Sequence, residues 1–155
     1  MSNLVEKSKK QIHVLYVEDN PSDAILMIEA FEECAFNHII DHVSDGQQAI
    51  DYILNKAPYE LKAKPDLVLL DINLPKKSGF DVLELIKSRD NSKSIPVLML
   101  SSSQSERDIL KSYGLNANSY ITKPMDIEKI LDTVKAIDLF WINCASLPPS
   151  ALKHH

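Results

Sequence analysis

Glycine is scarce in this chain of 155 residues, with 3 in all, and cysteine is scarcer, with 2. No GxxxxGK[ST] or GxGxxG run occurs, so the chain is not built to cradle ATP or a dinucleotide on a glycine-rich loop. Cys34 and Cys144 lie far apart in helix-like contexts. They read as free thiols of a reducing cytosol, which argues against a disulfide framework or a thiolate metal site. Basic charge is also short: 17 Lys and Arg against 22 Asp and Glu leave a net charge of -5. With no basic stripe to neutralise phosphates, nucleic acid is not the expected partner. No apolar run approaches the roughly 20 residues of a membrane span. The lysines of the N-terminus have no apolar segment behind them, so no signal peptide is expected and a cytoplasmic location is. Residues 1–10 read as a disordered N-terminus, 11–143 as one domain and 144–155 as a tail. Lys153-His154-His155 has the composition of a purification-tag stub.

What is present alternates. Ile12 to Val17 reads as a strand that stops at Glu18-Asp19, and Asn20-Pro21 is the cap and first residue of a helix running to about Glu33. Ala24, Ile25, Ile28 and Phe31 are its expected inner face. Ile39 to Val43 is a weaker strand, with His38 and His42 on its solvent side. A helix from Gly46 to Lys56 is expected to bury Ala49, Ile50, Ile53 and Leu54. The polar stretch Ala57 to Pro65 exceeds the roughly 2 to 6 residues common between a helix and a strand. It is either a tolerated insertion or a partner-contacting loop.

Leu67 to Leu70 is an unbroken aliphatic run, as in a strand buried on both faces, and it ends at Asp71 before Leu74-Pro75 turns the chain. Gly79 opens a helix with Val82, Leu83 and Ile86 inward, and Ile95 to Leu100 is a further apolar strand running into Ser101. Ser105 with Asp108 has the form of a capping box for a helix that uses Ile109, Leu110 and Tyr113. Ser119 to Thr122 is a short last strand closed by Lys123-Pro124. The final helix, from about Asp126, repeats at Ile127, Ile130, Leu131, Val134 and Ile137. Strand and helix alternating five times predict an α/β fold, a parallel sheet with helices on both faces.

In such a sheet ligands bind beyond the carboxyl ends of the strands. There the topology would collect Glu18, Asp19, Asp71, Ser101 and Lys123. Crowded carboxylates repel by several kcal/mol in a low dielectric. A divalent cation removes that cost, and an all-oxygen donor set suits Mg²⁺. No Cys or His falls at a strand end, which disfavours zinc and a hydrolytic triad. A cation and an ammonium flanking a carboxylate are what phosphoryl transfer onto that carboxylate needs.

Taken together, Glu18-Asp19, Asp71 with Asn73, Leu74-Pro75 and Gly79, Ser101, Tyr120 and Lys123-Pro124 resemble the receiver domain of two-component response regulators. The resemblance covers about Ile12 to Ile137. It implies a flavodoxin-like, doubly wound, three-layer αβα fold with strand order 2-1-3-4-5. It makes Asp71 the phospho-acceptor and assigns Mg²⁺ to Asp19 and Asp71, the backbone carbonyl of Asn73 and, through water, Glu18. Lys123 would pair with the phosphoryl group, and its bond to Pro124 would be cis. Ser101 and Tyr120 would move together as the switch, remodelling the face of the fourth helix, fifth strand and last helix. The 57–65 loop, the segment from Leu110 to Pro124 and the ending Phe140-Trp141 through Pro149 resemble single-domain regulators partnered with cyanobacterial phytochromes. That implies a light-sensing histidine kinase as phosphate source and a homodimer. Leu139 to Ile142 cannot all face one side of a helix, and Phe140 and Trp141 are the expected interface anchors. Too few residues follow for a DNA-binding output domain. Two other readings stand beside the partner-binding switch: a phosphate sink that drains the kinase and binds nothing downstream, and a flavodoxin-like cofactor binder.

Overall fold

The computed structural model describes residues 11–34, 37–124, 126–144 and 146–149. The expected disordered stretch 1–10 and the tag-like end lie outside them. Elements run in the order β1 (Ile12–Val17), α1 (Pro21–Glu32), β2 (His38–Val43), α2 (Gly46–Ile53), β3 (Leu67–Leu70) and α3 (Gly79–Ser88). β4 (Val97–Ser101), α4 (Glu106–Gly114), β5 (Ser119–Thr122) and α5 (Ile127–Ile137) follow, and a π-helical turn, Asp138–Cys144, extends α5. All pairings are parallel and the sheet order is β2-β1-β3-β4-β5. This is the parallel sheet with helices on both faces that the alternation predicts, in the doubly wound, flavodoxin-like order that the receiver resemblance implies.

β3 shows why the centre of the sheet is aliphatic. Each of its four residues is fully buried, because helices cover both faces. Alternate residues feed two cores. Leu15, Val68, Leu70, Val97 and Met99 pack with α2 and α3. Val14, Tyr16, Leu67, Leu69 and Leu98 pack with α1 and α5.

The cap expected at Asn20 is present, the one at Ser105 is present in part, and α3 carries one that was not expected. Asn20 Oδ1 accepts from the amides of Ser22 and Asp23, and Pro21 takes the first helical position. Ser78 and Asp81 form a reciprocal box on α3. Ser105 caps α4 through the Asp108 amide, but the reciprocal half of that box is missing. Asp108 instead accepts from the Ser103 hydroxyl at 2.6 Å.

Several inner faces are rotated from those expected. On α1, Met27 and Ala30 join Ala24 and Phe31 in the core while Ile25 is 57% exposed, since one stripe of the helix meets the sheet. α2 ends at Ile53 and turns Tyr52 inward, leaving Ile50 and Leu54 half-buried. α4 departs furthest. Leu110 is 72% exposed and Tyr113 also faces out, with Ser112 the buried residue of the helix, because α4 sits at the sheet edge. On α5, Ile130, Val134 and Ile137 are buried, and Ile127 in the first turn is exposed.

The 57–65 connection has no helix or strand, yet it is pinned. The Asn55 side-chain amide donates to the carbonyls of Tyr59 and Lys62 at 3.1 and 2.7 Å, and the Tyr59 ring lies tilted at 45° against Tyr52 with ring centres 5.2 Å apart. The cis peptide bond among the described residues is Ala57–Pro58, and Lys123–Pro124 does not share that geometry. An X–Pro bond prefers trans by only about 0.5–1 kcal/mol, so local context chooses the isomer.

The apolar ending divides. Trp141 is half-buried and packs with Leu147 against the α1–α5 core, whereas Phe140 is 56% exposed beside it, the two rings edge-on at 5.3 Å. The side chain of Ile142 lies outside the described residues.

Candidate functional site

Sheet register brings the site together. Val17 lies opposite Leu70, and the Asp71 amide donates to the Val17 carbonyl at 3.2 Å, so Glu18 and Asp71 leave adjacent strand ends side by side. Gly79 supports Asp71 from behind. A Cβ there would lie 2.1 Å from the Asp71 carbonyl oxygen, so only glycine lets α3 start so close to the acid. β4 and β5 supply the other wall, where the Lys123 amide donates to the Ser101 carbonyl at 2.7 Å.

The result is an acidic cup around one ammonium. Lys123 Nζ lies 2.6 Å from Glu18 Oε1 and 3.3 Å from Asp71 Oδ2. The Glu18 contact is an ion pair without the alignment of a hydrogen bond. Asp71 Oδ1 accepts from the Ile72 amide at 2.7 Å, which leaves Oδ2 facing the lysine. Glu18, Asp19 and Asp71 each offer a carboxylate oxygen, and the three lie within 4.8 Å of one another. Glu18 and Asp71 are buried and Asp19 is exposed, so the cup opens to solvent on one side. Asn73 is exposed in the turn after β3.

Electrostatics follow from this crowding. Burial raises the Glu18 carboxyl above its usual range and Asp71 adds to the rise, while Lys123 and the Asn20 amide oppose it. For Lys123, burial pulls its pKa down, but Glu18, Asp71 and Asp23 outweigh that and hold it above the ordinary lysine value. Burial, with Glu18 next, keeps the Tyr16 hydroxyl neutral beneath the cup. The donor set fits a hard divalent cation: three carboxylates, crowded, with one ammonium that does not balance them.

Ser101 is fully buried, and its Oγ accepts from the Ser103 amide at 3.1 Å. Tyr120 is half-buried, and its hydroxyl donates to the Ser103 carbonyl at 2.8 Å. Ser103 therefore connects the two expected switch residues through the loop after β4.

Two contributors escaped the sequence reading. Asp23, in the first turn of α1, lies 3.3 Å from Lys123 Nζ. The Asn20-Pro21 start was its signal, since an acid three residues past that cap must sit near the strand ends. His42 Nε2 lies 2.8 Å from the Glu18 carbonyl oxygen. No motif marks it, because the contact depends on β2 pairing with β1.

The pattern of the response regulator receiver domain matches residues 14–135. The chain belongs to that family. Its curated relatives include the response regulator Rcp1 of Synechocystis sp. (strain ATCC 27184 / PCC 6803 / Kazusa), 36% identical over 135 residues, 87% of this chain and 92% of that protein. A crystal structure of the phosphorylated cyanobacterial phytochrome response regulator RcpA is similar at 41% identity and a TM-score of 0.87, covering 90% of this chain and all of that one (100%). The Mn(2+)-bound form of Rcp1 is similar at 36% identity and a TM-score of 0.84, over 89% of this chain and 99% of that one. Receiver membership explains a cup of acids at the strand ends. Among the described residues no helix is long and apolar enough to cross a membrane.

Proposed function

We propose that this receiver accepts a phosphoryl group on Asp71 from a phosphohistidine of a phytochrome-type sensor kinase. The observation that carries the reading is Lys123 Nζ at 3.3 Å from Asp71 Oδ2, inside a cup where Glu18, Asp19 and Asp71 converge. The Asp71 oxygen forms a bond to phosphorus as the phosphorus–nitrogen bond breaks. The histidine ring leaves with that electron pair and takes up a proton. Lys123 neutralises charge on the transferring oxygens, which is most of what phosphoryl transfer requires of a protein. Glu18, Asp19, Asp71 and the Asn73 carbonyl are the residues that would hold Mg²⁺, which when bound supplies further positive charge to those oxygens.

The Ser101 hydroxyl then leaves the Ser103 amide for a phosphoryl oxygen, and Tyr120 follows through its bond to the Ser103 carbonyl. The output is a change in the face of α4, β5 and α5, where Leu110 and Tyr113 are already exposed. The partner-binding switch is favoured over the phosphate sink, since the similar proteins are regulators and this face exposes the large side chains of Leu110 and Tyr113. Phytochrome partnership is supported by the likeness to RcpA and Rcp1. A homodimer is supported by the exposure of Leu139 and Phe140, and a cytoplasmic site of action by the class of partner.

The test is phosphotransfer from a ³²P-labelled histidine kinase of the phytochrome type, with and without Mg²⁺. Acid-stable labelling is expected in wild type with metal and none in Asp71→Asn. Label that persists in the variant would place the acceptor elsewhere.

A further inference from the structure

Asp23 belongs to no part of the machinery just described, yet it faces it. Its Oδ2 lies 3.3 Å from Lys123 Nζ, and its carboxylate is 40% exposed. It is not among the three acids that converge as a metal-ligand set. The α1 cap holds it in place, because its own amide donates to Asn20 Oδ1 at 3.1 Å. Lys123 thus answers Glu18, Asp71 and Asp23 at once. Glu18, Asp19, Asp23 and Asp71 carry four negative charges against one ammonium. A divalent cation still leaves one negative charge unbalanced, and Asp23 is the most exposed of the three acids that contact Lys123.

The geometry points to Asp23 as a positioning residue that guards the cup electrostatically. It draws on the Lys123 ammonium and opposes the approach of small, highly charged phosphodonors, so that a docked protein donor is preferred. The inference rests on Asp71 being the acceptor. Asp23 touches no reacting atom and acts through Lys123 and through the field at the mouth. Its effect scales with the charge of the incoming donor and weakens with salt.

Two donors separate these properties. Acetyl phosphate is a dianion and releases acetate as the Asp71–phosphorus bond forms. Phosphoramidate carries one net negative charge, because its nitrogen is protonated, and releases ammonia. Initial rates for wild type, Asp23→Asn and Asp23→Glu are to be measured with each donor in Mg²⁺ at low and high ionic strength, with the label located by peptide mass spectrometry. Thermal melts of each variant check the fold, and Mn²⁺ titration by calorimetry checks the metal site without any turnover.

Asp23→Asn is expected to accelerate acetyl phosphate roughly three- to tenfold and phosphoramidate less, with the difference shrinking at high salt. Asp23→Glu restores the wild-type ratio of the two donors, and Mn²⁺ affinity stays within about threefold throughout. An unchanged donor ratio with Asp71 still labelled would overturn the role of Asp23 alone. Slower labelling by both donors would do the same and make Asp23 an aid to transfer. Wild type without label on Asp71 would remove the acceptor reading and this inference with it.

Discussion

Two polar clusters lie in the sheet, and they are built on opposite terms. At the carboxyl ends, Glu18, Asp23 and Asp71 contact one ammonium with Asp19 close by, and the charge does not balance. Nearer the amino ends, a single carboxylate, Asp41, is surrounded by donors. It accepts from the Tyr52 hydroxyl, lies 3.0 Å from His13 Nε2 and 3.3 Å from Lys62 Nζ. Burial pushes the Asp41 carboxyl up, but these hydrogen bonds prevail and hold it below the usual aspartate range. One cluster is finished by the protein itself and ties β1, β2, α2 and the 57–65 connection together. The other is left for a cation and a phosphoryl group to finish. An acid whose charge the fold already answers is structural; an acid the fold leaves crowded is where to look for function.

The sharpest way to break this contrast is Asp71→Asn. Phosphoryl labelling is expected to vanish while the metal-free protein gains about 1 kcal/mol in urea unfolding, since one of several repelling charges is gone. A less stable variant would mean that the crowding is already relieved. Next in size, a divalent cation at about 100 times its dissociation constant is expected to raise wild-type stability by roughly 2.7 kcal/mol, and Asp71→Asn much less. Calorimetric melts with Mg²⁺ or Mn²⁺ measure this directly.

The balanced cluster responds with the other sign. Asp41→Asn is expected to cost about 1–3 kcal/mol, because the Tyr52 hydroxyl, His13 and Lys62 are then left with one neutral oxygen in place of a carboxylate. Stabilisation by Asp41 depends on pH in a defined direction. Its folded value lies below the unfolded one of about 3.9, so its contribution is full above that value and is lost as acid protonates the folded form. The stability difference between wild type and Asp41→Asn should therefore close below about pH 3.9, and a gap that persists would deny the charge its role. The smallest effect separates the neighbours at the chain's apolar ending. Phe140→Ala should alter folding stability by less than about 0.5 kcal/mol and weaken self-association, whereas Trp141→Ala should cost about 1–3 kcal/mol by opening the α1–α5 core. Sedimentation alongside denaturant unfolding distinguishes the two.

The site was legible before the fold was seen because its members stand at the ends of apolar runs. Asp71 closes Leu67–Leu70, and Glu18-Asp19 closes Ile12–Val17, so parallel pairing alone brings them to one rim. Helix faces were less legible. The periodicity of Ile25, Leu110, Tyr113 and Ile127 is helical, but these residues remain exposed, because period fixes a stripe and not what lies against it. Asp23 was legible only through the Asn20-Pro21 start that sets it beside the strand ends, and His42 not at all, since its contact depends on β2 pairing with β1.

What the order of residues settled by itself was the alternation of strand and helix, the caps at Asn20 and Ser105, and the identity of the acids, the hydroxyl and the amine at the strand ends. Those depend on local periodicity and on residues adjacent in the chain. Tertiary structure alone decided which charges are answered and which are not. Lys123 is separated by about a hundred residues from Glu18 and Asp23 and by 52 from Asp71, and the distances of 2.6 and 3.3 Å exist because β1, β3, β4 and β5 pair in register. Electrostatic energy varies with separation in space, and only the folded sheet sets that separation.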